Sequence, residues 1–157
     1  METFSSFWDE KLKKYAAAAW ANMPSLFAEW AVAFFPQRGR ALELGAGHGQ
    51  DSQLFAKKGF AVVSTDFSDV GLEYNRRKLP QELEGKVLIQ RVDIAEPLPF
   101  DDAVFDVVYS HLGLHYFDSK TTEEIFDEIY RILKSGGILA ILVNSTNDPE
   151  YGSGIKL

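Results

Sequence analysis

Residues 42–51 read LELGAGHGQD, and this stretch decides the fold. The apolar residues 41–44 form a predicted strand, and a helical pattern follows at 50–58. Between them stand glycines at alternate positions, namely Gly45, Gly47 and Gly49. Glycine reaches positive φ and lets a ligand approach the backbone closely. Because a helix that starts at such a loop presents N–H groups, the stretch predicts a ligand-binding turn.

An acidic residue stands at the interval that a nucleoside ligand requires. Asp66 follows Gly45 by 21 residues, at the end of a second predicted strand, 61–65. A carboxylate at this place accepts hydrogen bonds from the ribose hydroxyls of a bound nucleoside. A glycine loop alone is weak evidence, since glycines also form ordinary turns. The loop, the strand and the acid together indicate a nucleoside site.

The composition limits the class of protein. The chain has 157 residues, which is the size of one domain, and 46% of them are hydrophobic, which suits a folded protein. Its net charge of −7 argues against a nucleic-acid partner. There are no cysteines, which excludes disulfides and thiolate metal sites and fits a cytoplasmic location. No apolar run is long enough to span a membrane, and the first residues are polar, so we expect neither a membrane partner nor a signal peptide.

Apolar runs alternate with helical patterns along the chain. The predicted strands are 41–44, 61–65, 87–92, 104–109 and 138–143. The clearest helix is 121–134, which has one apolar face and is followed by Gly136 and Gly137, the expected stop signal. Strands separated by helices predict right-handed crossovers and a parallel sheet. We therefore predict an α/β, doubly wound, Rossmann-like sheet with strand order 3-2-1-4-5.

Five motifs in order resemble a class I S-adenosylmethionine-dependent methyltransferase. They are residues 42–49, 65–68, 92–94 with 98–100, 105–110, and 133–137. Two local segments, 47–52 and 112–117, resemble small-molecule methyltransferases of type 11 and of the tellurite-resistance branch. The resemblance implies S-adenosyl-L-methionine as cofactor, S-adenosyl-L-homocysteine as product, and methyl transfer to a small-molecule acceptor.

The resemblance also implies which residues hold the methionine half of the cofactor. The glycine loop, made of Gly45, Ala46, Gly47 and Gly49, would lie against that half. Glu43 would orient the loop and the ammonium group, and the Ser110 carbonyl would face that ammonium. Carboxylate and carbonyl groups suit a ligand that carries positive charge at sulfur and nitrogen.

A second group of residues is implied for the nucleoside half. Asp66 would accept hydrogen bonds from both ribose hydroxyls, and Phe67 would lie against the adenine. Asp93 would accept from the adenine N6 amino group, while the Ile94 backbone N–H would donate to N1.

The histidines are the candidate catalytic residues. His111 and His115 lie just past the fourth predicted strand, where ligands bind in open α/β sheets, although both also fit ordinary loop positions. His48 sits inside the glycine loop, where we expect it to be exposed. Their spacing matches no metal-ligand pattern, so we predict no metal site.

The resemblance divides the single domain, 1–157, into three parts. These are an N-terminal helical cap at 1–39, a cofactor-binding core at 40–145 and a tail at 146–157. The aromatic cap either covers one face of the sheet or also closes a ligand pocket with Trp8 or Tyr15.

Two alternative functions remain open from the sequence. A nicotinamide-dinucleotide domain shares the strand, glycine loop and ribose acid, but its fingerprint is Gly-x-Gly-x-x-Gly, whereas here the third glycine follows after one residue. A non-catalytic S-adenosylmethionine-binding protein would show the same motifs, and only measured turnover separates it from an enzyme.

The end of the chain departs from the family pattern. The family sheet has two further strands, and residues 144–157 are too few to form them, so we expect strands 6 and 7 to be missing and the chain to be truncated. Strand 138–143 would then be an open apolar edge, which is prone to association. The sequence therefore predicts a possible homodimer through this strand.

Overall fold

The structure is a computed structural model that describes residues 4–149 and 151. The helices are α1 (Phe4–Tyr15), α2 (Leu26–Ala31), α3 (Gln50–Lys57), α4 (Asp69–Lys78) and α5 (Ser119–Ile132). The strands are β1 (Arg40–Leu44), β2 (Ala61–Asp66), β3 (Val87–Arg91), β4 (Phe105–His111) and β5 (Leu133–Leu142). Most of the expected tail at 146–157 lies outside the described residues.

The five strands form one parallel sheet in the order β3-β2-β1-β4-β5, which confirms the predicted fold. In the centre, Leu42 of β1 pairs with Val63 of β2 and Val108 of β4. The chain enters β1, then moves outward to β2 and β3, and returns to the other side for β4. Ligands bind at such a reversal, at the carboxyl ends of the strands.

Alternate residues of each strand face two separate hydrophobic layers. One layer joins Leu42 and Leu44 to α5 through Ile125 and Ile129. The opposite layer joins Ala41, Val62 and Val107 to α2 and α3, with Ala28 and Phe55 among its buried members. Helices on both faces explain why apolar residues stand next to each other in the central strands, as in 41–42, 62–63 and 107–108.

The connection from β3 to β4 contains no helix, so the alternation of strands and helices is not complete. Pro97 and Pro99 lack the N–H that a helix interior needs. Leu98 between them is buried, and its backbone is held by α5: Leu98 N donates to Glu128 over 2.8 Å, and Arg131 donates to Leu98 O over 3.0 Å. The side chains of Glu128 and Arg131 thus satisfy backbone groups that would otherwise be satisfied inside a helix.

The predicted boundary between α5 and β5 was wrong by several residues. The helix ends at Ile132, not 134, and Leu133 is already extended and paired with Phe105. The pairing then shifts by several residues, and Gly136, with φ of 76°, lies in this irregular part of β5. The glycines therefore allow a bulge inside the strand rather than ending the helix, because the apolar Leu133 packs into the core before they are reached.

The starts of the helices follow the capping rules more closely than the end of α5 does. Ser68 caps α4, because its hydroxyl accepts from the Gly71 N–H over 3.1 Å. The cap of α5 is Asp118, which accepts from the Thr121 N–H over 2.8 Å, so Thr121 lies inside the helix. No helix within the described part of the chain is long and apolar enough to cross a membrane.

Candidate functional site

A cavity of about 260 Å³ lies at the carboxyl ends of β1, β2 and β4. Nine of the sequence-predicted site residues line it: Glu43, Gly45, Ala46, Gly47, Asp66, Phe67, Asp93, Ile94 and His111. These residues come from four strands and the loops that follow them. The parallel sheet brings them together because every strand ends at the same edge.

Three predicted site residues are not among the cavity-lining residues, namely Gly49, Ser110 and His115. Gly49 has φ of 77°, and a Cβ there would clash with the side chain of Asn75. This glycine is thus required by packing against α4. The Ser110 hydroxyl donates to the Leu44 carbonyl over 2.9 Å, which ties β4 to β1.

Asp66 connects the end of β2 to the glycine loop. Its carboxylate accepts from the Gly47 N–H over 2.8 Å and, through the other oxygen, from the Ser68 N–H over 2.8 Å. Burial raises the pKa of the Asp66 carboxyl, while these N–H donors act in the opposite direction. One acidic side chain therefore fixes the loop and also lines the cavity.

Glu43 is a buried carboxyl in the floor of the cavity. Burial raises the pKa of Glu43 well above its usual value, and the negative charges of Asp51 and Asp66 raise it further. The Ser52 hydroxyl donates to Glu43 and partly offsets this effect. A positively charged ligand at this point would favour the ionised form of Glu43.

The raised pKa of Glu43 predicts how stability depends on pH. The folded state binds this proton more tightly than the unfolded state, so the stabilisation is full below about pH 4.5 and is lost as pH rises through the raised pKa. The Glu43→Gln side chain cannot ionise, so at pH 8 we expect a free energy of unfolding higher by about 1 kcal/mol than that of the unaltered protein. This corresponds to a melting temperature higher by about 2–4 °C. At pH 4 we expect little gain.

Calorimetric melts across this pH range test the expectation. The matched control is Glu128→Gln, because Arg131 lowers the pKa of Glu128 and the same substitution there should destabilise the protein near neutral pH. If Glu43→Gln lowered the melting temperature at high pH, Glu43 would not be a buried, disfavoured carboxylate.

Asp51 is a cavity-lining residue that sequence reasoning missed. It is 2% exposed and accepts from Ser25 N over 2.6 Å, Ser25 Oγ over 2.7 Å and the Tyr109 hydroxyl over 2.7 Å. The network joins the start of α2, the first turn of α3 and the middle of β4. Burial and the Asp51 charge raise the pKa of Tyr109, so this hydroxyl stays a donor. In the sequence, Asp51 is only an acid in a first helical turn, which is common.

The N-terminal helix α1 forms a roof over the cavity. Trp8, Leu12 and Tyr15 of α1 line it, and Trp8 meets Tyr116 edge to face with ring centroids 5.1 Å apart. Tyr116 belongs to the loop after β4, so the roof and the far wall touch. Of the two alternatives for the cap, the one in which Trp8 or Tyr15 closes a pocket is compatible with this geometry.

The expectation that His48 is exposed was wrong. His48 is 3% exposed, its Nε2 lies 3.0 Å from the Leu12 carbonyl, and its ring packs edge-on against Tyr74. Burial lowers its pKa. Contacts from α1 and α4, which are distant in sequence, cover a residue that looks exposed from its loop alone.

The two candidate catalytic histidines lie in different places. His111 is the last residue of β4, lines the cavity and lies parallel to Phe27 with centroids 6.2 Å apart. Burial lowers its pKa, and Asp51 acts in the opposite direction. His115 instead packs against Tyr116, with centroids 4.1 Å apart. Within the described residues, no group of three or more His, Cys, Asp or Glu could hold a metal ion.

Comparison with known proteins places this geometry in a family. A family profile described as a methyltransferase domain matches residues 42–141. A Bacillus subtilis protein named as the methyltransferase YqeM is 31% identical over 144 residues, which cover 91% of this chain and 55% of that protein. A demethylmenaquinone methyltransferase of Clavibacter sepedonicus is 39% identical over 107 residues, 68% of this chain and 42% of that protein. The chain thus spans about half the length of these curated relatives.

A solved structure gives the same result for the fold. An S-adenosyl-L-methionine-dependent methyltransferase described from Methanococcus maripaludis superposes with a TM-score of 0.76 and 25% identity, over 98% of this chain and 70% of that one. The match covers the cap as well as the sheet. The glycine loop, the acid at the end of β2 and the matched profile together show that the chain belongs to the class I S-adenosylmethionine-dependent methyltransferase family.

Proposed function

We propose that this chain binds S-adenosylmethionine in the cavity and transfers its methyl group to a small molecule. The observation that carries the proposal is Asp66, a buried carboxylate at the end of β2 that lines the cavity and holds the glycine loop through Gly47 N. A carboxylate in this position suits the paired hydroxyls of a ribose.

The nucleoside half would lie along β2 and the segment after β3. Phe67 follows Asp66 directly and offers a ring for the adenine, while Asp93 and Ile94 follow the neighbouring strand β3 and also line the cavity. Asp93 would accept from the adenine amino group and the Ile94 N–H would donate to the ring. The pairing of β2 with β3, in which Asp66 lies opposite Arg91, supports this assignment because it brings the ends of the two strands together.

The methionine half would lie over the glycine loop and Glu43. Gly45 has φ of 74°, which favours glycine, and it lines the cavity, so its backbone is presented to a ligand without a side chain. A Cβ there would already be in van der Waals contact with Gly113 Cα, 3.6 Å away. Glu43 is a buried carboxyl with the negative charges of Asp51 and Asp66 near it, so this part of the cavity favours a positively charged group of the ligand.

S-adenosylmethionine supplies a methyl group on a positively charged sulfur, which is a good leaving group. The chain therefore has to align the acceptor, and alignment of this kind contributes several kcal/mol. His111 is the residue we assign to accept a proton from an acceptor that arrives protonated, because it lines the cavity and its lowered pKa keeps it neutral near pH 7.

Calorimetric titration with S-adenosylmethionine, S-adenosylhomocysteine and NADH tests the proposal. We expect both adenosyl ligands to bind and NADH not to bind. An acceptor panel with radiolabelled methyl donor then separates an enzyme from a non-catalytic binder. Tight NADH binding without adenosyl-ligand binding would overturn the proposal in favour of a nicotinamide domain.

Self-association through β5 stays a prediction. β5 is the outer strand of the sheet, and Leu142 at its end is 38% exposed. Unpaired N–H and C=O groups along such an edge favour pairing with a second copy. We expect Leu142→Lys to reduce a dimer seen by light scattering, whereas Leu26→Lys, on the exposed side of α2, should not. An unaltered protein that stays monomeric at high concentration would contradict the prediction.

A further inference from the structure

We propose that the methyl acceptor is a small amine, held as its ammonium ion between two pairs of aromatic rings and the first turn of α3. The inference rests on the proposed function and names the substrate class of the same cavity. It combines three observations: the charge of the lining, an unsatisfied acceptor in the wall, and the arrangement of the rings.

The residues that line the cavity carry negative charge and no permanent positive charge. Among its described residues none is Lys or Arg, and its carboxyl groups are Glu43, Asp51, Asp66 and Asp93. Three of these are assigned to the cofactor, which leaves Asp51. An acceptor that carries a carboxylate or phosphate would meet like charge without a cationic partner, at a cost that grows in a water-poor cavity. The charge therefore favours a cationic acceptor.

The first turn of α3 provides two consecutive acceptors, Gln50 and Asp51, and both line the cavity. Asp51 is held in one place by hydrogen bonds from Ser25 and Tyr109. Gln50 Oε1 is buried and receives no hydrogen bond from the described residues. A buried acceptor without a donor is costly. Gln50 Oε1 is buried in this conformation, but the Gln50 side chain is partly exposed, so a turn of that side chain brings Oε1 to the ammonium. The ammonium has three N–H donors, and Asp51 balances its charge.

Two pairs of aromatic rings also contribute to the lining. Trp8 and Tyr116 form one edge-to-face pair, and Tyr15 and Trp20 form another, each with centroids 5.1 Å apart. All four residues line the cavity. The face of an aromatic ring attracts an organic cation, and the attraction is stronger where water is excluded. Aromatic rings and a carboxylate in one cavity are the two features that ammonium recognition uses.

His111 accepts the proton that an amine acceptor has to lose before methyl transfer. The ammonium first gives one proton to the neutral imidazole, which leaves a free lone pair on nitrogen. That lone pair forms the new N–C bond as the methyl–sulfur bond breaks, and the bonding pair stays on sulfur. Charge and atoms balance: the sulfonium becomes a neutral thioether, and the positive charge passes to the methylated nitrogen.

Three probes of one shape and different charge test the inference. Benzylamine is cationic at pH 7, benzyl alcohol is neutral and benzoate is anionic. Each is titrated into the full chain saturated with S-adenosylhomocysteine. We expect benzylamine to bind at least ten times more tightly than benzyl alcohol, and benzoate to be the weakest. Equal affinity of the amine and the alcohol, or preference for benzoate, would overturn the inference.

Single substitutions show where in the cavity benzylamine binds. Trp8→Ala should weaken benzylamine at least about fivefold while benzyl alcohol changes less, because the cation–π contribution is lost, and Trp8→Phe should restore part of it. Tyr130→Ala removes a ring that is 84% exposed on α5 and should leave both affinities unchanged. A Trp8→Ala protein that binds benzylamine as the unaltered protein does would overturn the assignment of the rings.

The same titrations separate this inference from the proposed function. Binding of S-adenosylhomocysteine is measured before any probe is added. If it fails to bind, the proposed function is wrong, whatever the probes do. If it binds and the amine shows no preference, the site takes the cofactor but its acceptor belongs to another chemical class.

Discussion

Replacing Asp66 with Ala is expected to raise the dissociation constant for S-adenosylmethionine about 100-fold. A hydrogen bond to a charged acceptor contributes about 1.5–3 kcal/mol, and two ribose hydroxyls would lose such a partner. Part of the loss would come from the loop, because Gly47 N donates to the same carboxylate. Asp66→Asn, which keeps the shape and one oxygen, should have a smaller effect.

The control for Asp66 is Asp69→Ala. Asp69 has the same charge three residues further on, but its side chain is 83% exposed and does not line the cavity. Calorimetry gives both dissociation constants, and circular dichroism checks that the variants fold. If Asp66→Ala bound the ligand as well as the unaltered protein and kept its fold, Asp66 would not hold the ribose.

Replacing His111 with Asn is expected to lower kcat for methyl transfer about 100-fold, with a smaller effect on cofactor binding. General-base catalysis by a positioned side chain contributes about 10²–10⁴-fold. The imidazole must be neutral to accept a proton, so the rate should fall as pH drops through the lowered pKa of His111, below 6.5. The variant should lose this acidic limb of the pH profile.

His115→Asn is the matched control, because burial lowers the pKa of His115 as well but the residue does not line the cavity. Nuclear magnetic resonance titration of the histidines in the unaltered protein gives an independent pKa for His111. If both variants retained full activity and the same pH profile, neither histidine would act as the base.

The parts of the fold that the sequence predicted are those encoded by local patterns. Strand and helix periods gave five strands in the correct order, because short apolar runs between helices leave few alternatives for a parallel sheet. The glycine loop and Asp66 were found because strand, turn and acid lie within one crossover unit. Boundaries were less accurate at β5, where the core contacts of Leu133 outweighed the glycine signal.

What the sequence could not indicate depends on residues far apart in the chain. Asp51 looks like an ordinary first-turn acid until Ser25 and Tyr109 are brought to it, 26 and 58 positions away. His48 looks exposed until α1 and α4 cover it. The meeting of Trp8 and Tyr116 across the cavity is of the same kind.

The sequence by itself therefore determined the sheet, its order and the edge at which a ligand binds. Only the tertiary structure decided which side chains close the cavity, which carboxylates are buried in it, and which of His111 and His115 lines its wall. The physical reason is that a strand or helix is selected by the spacing of its own apolar residues. The burial, charge state and partners of a side chain are set by whichever distant segments pack against it.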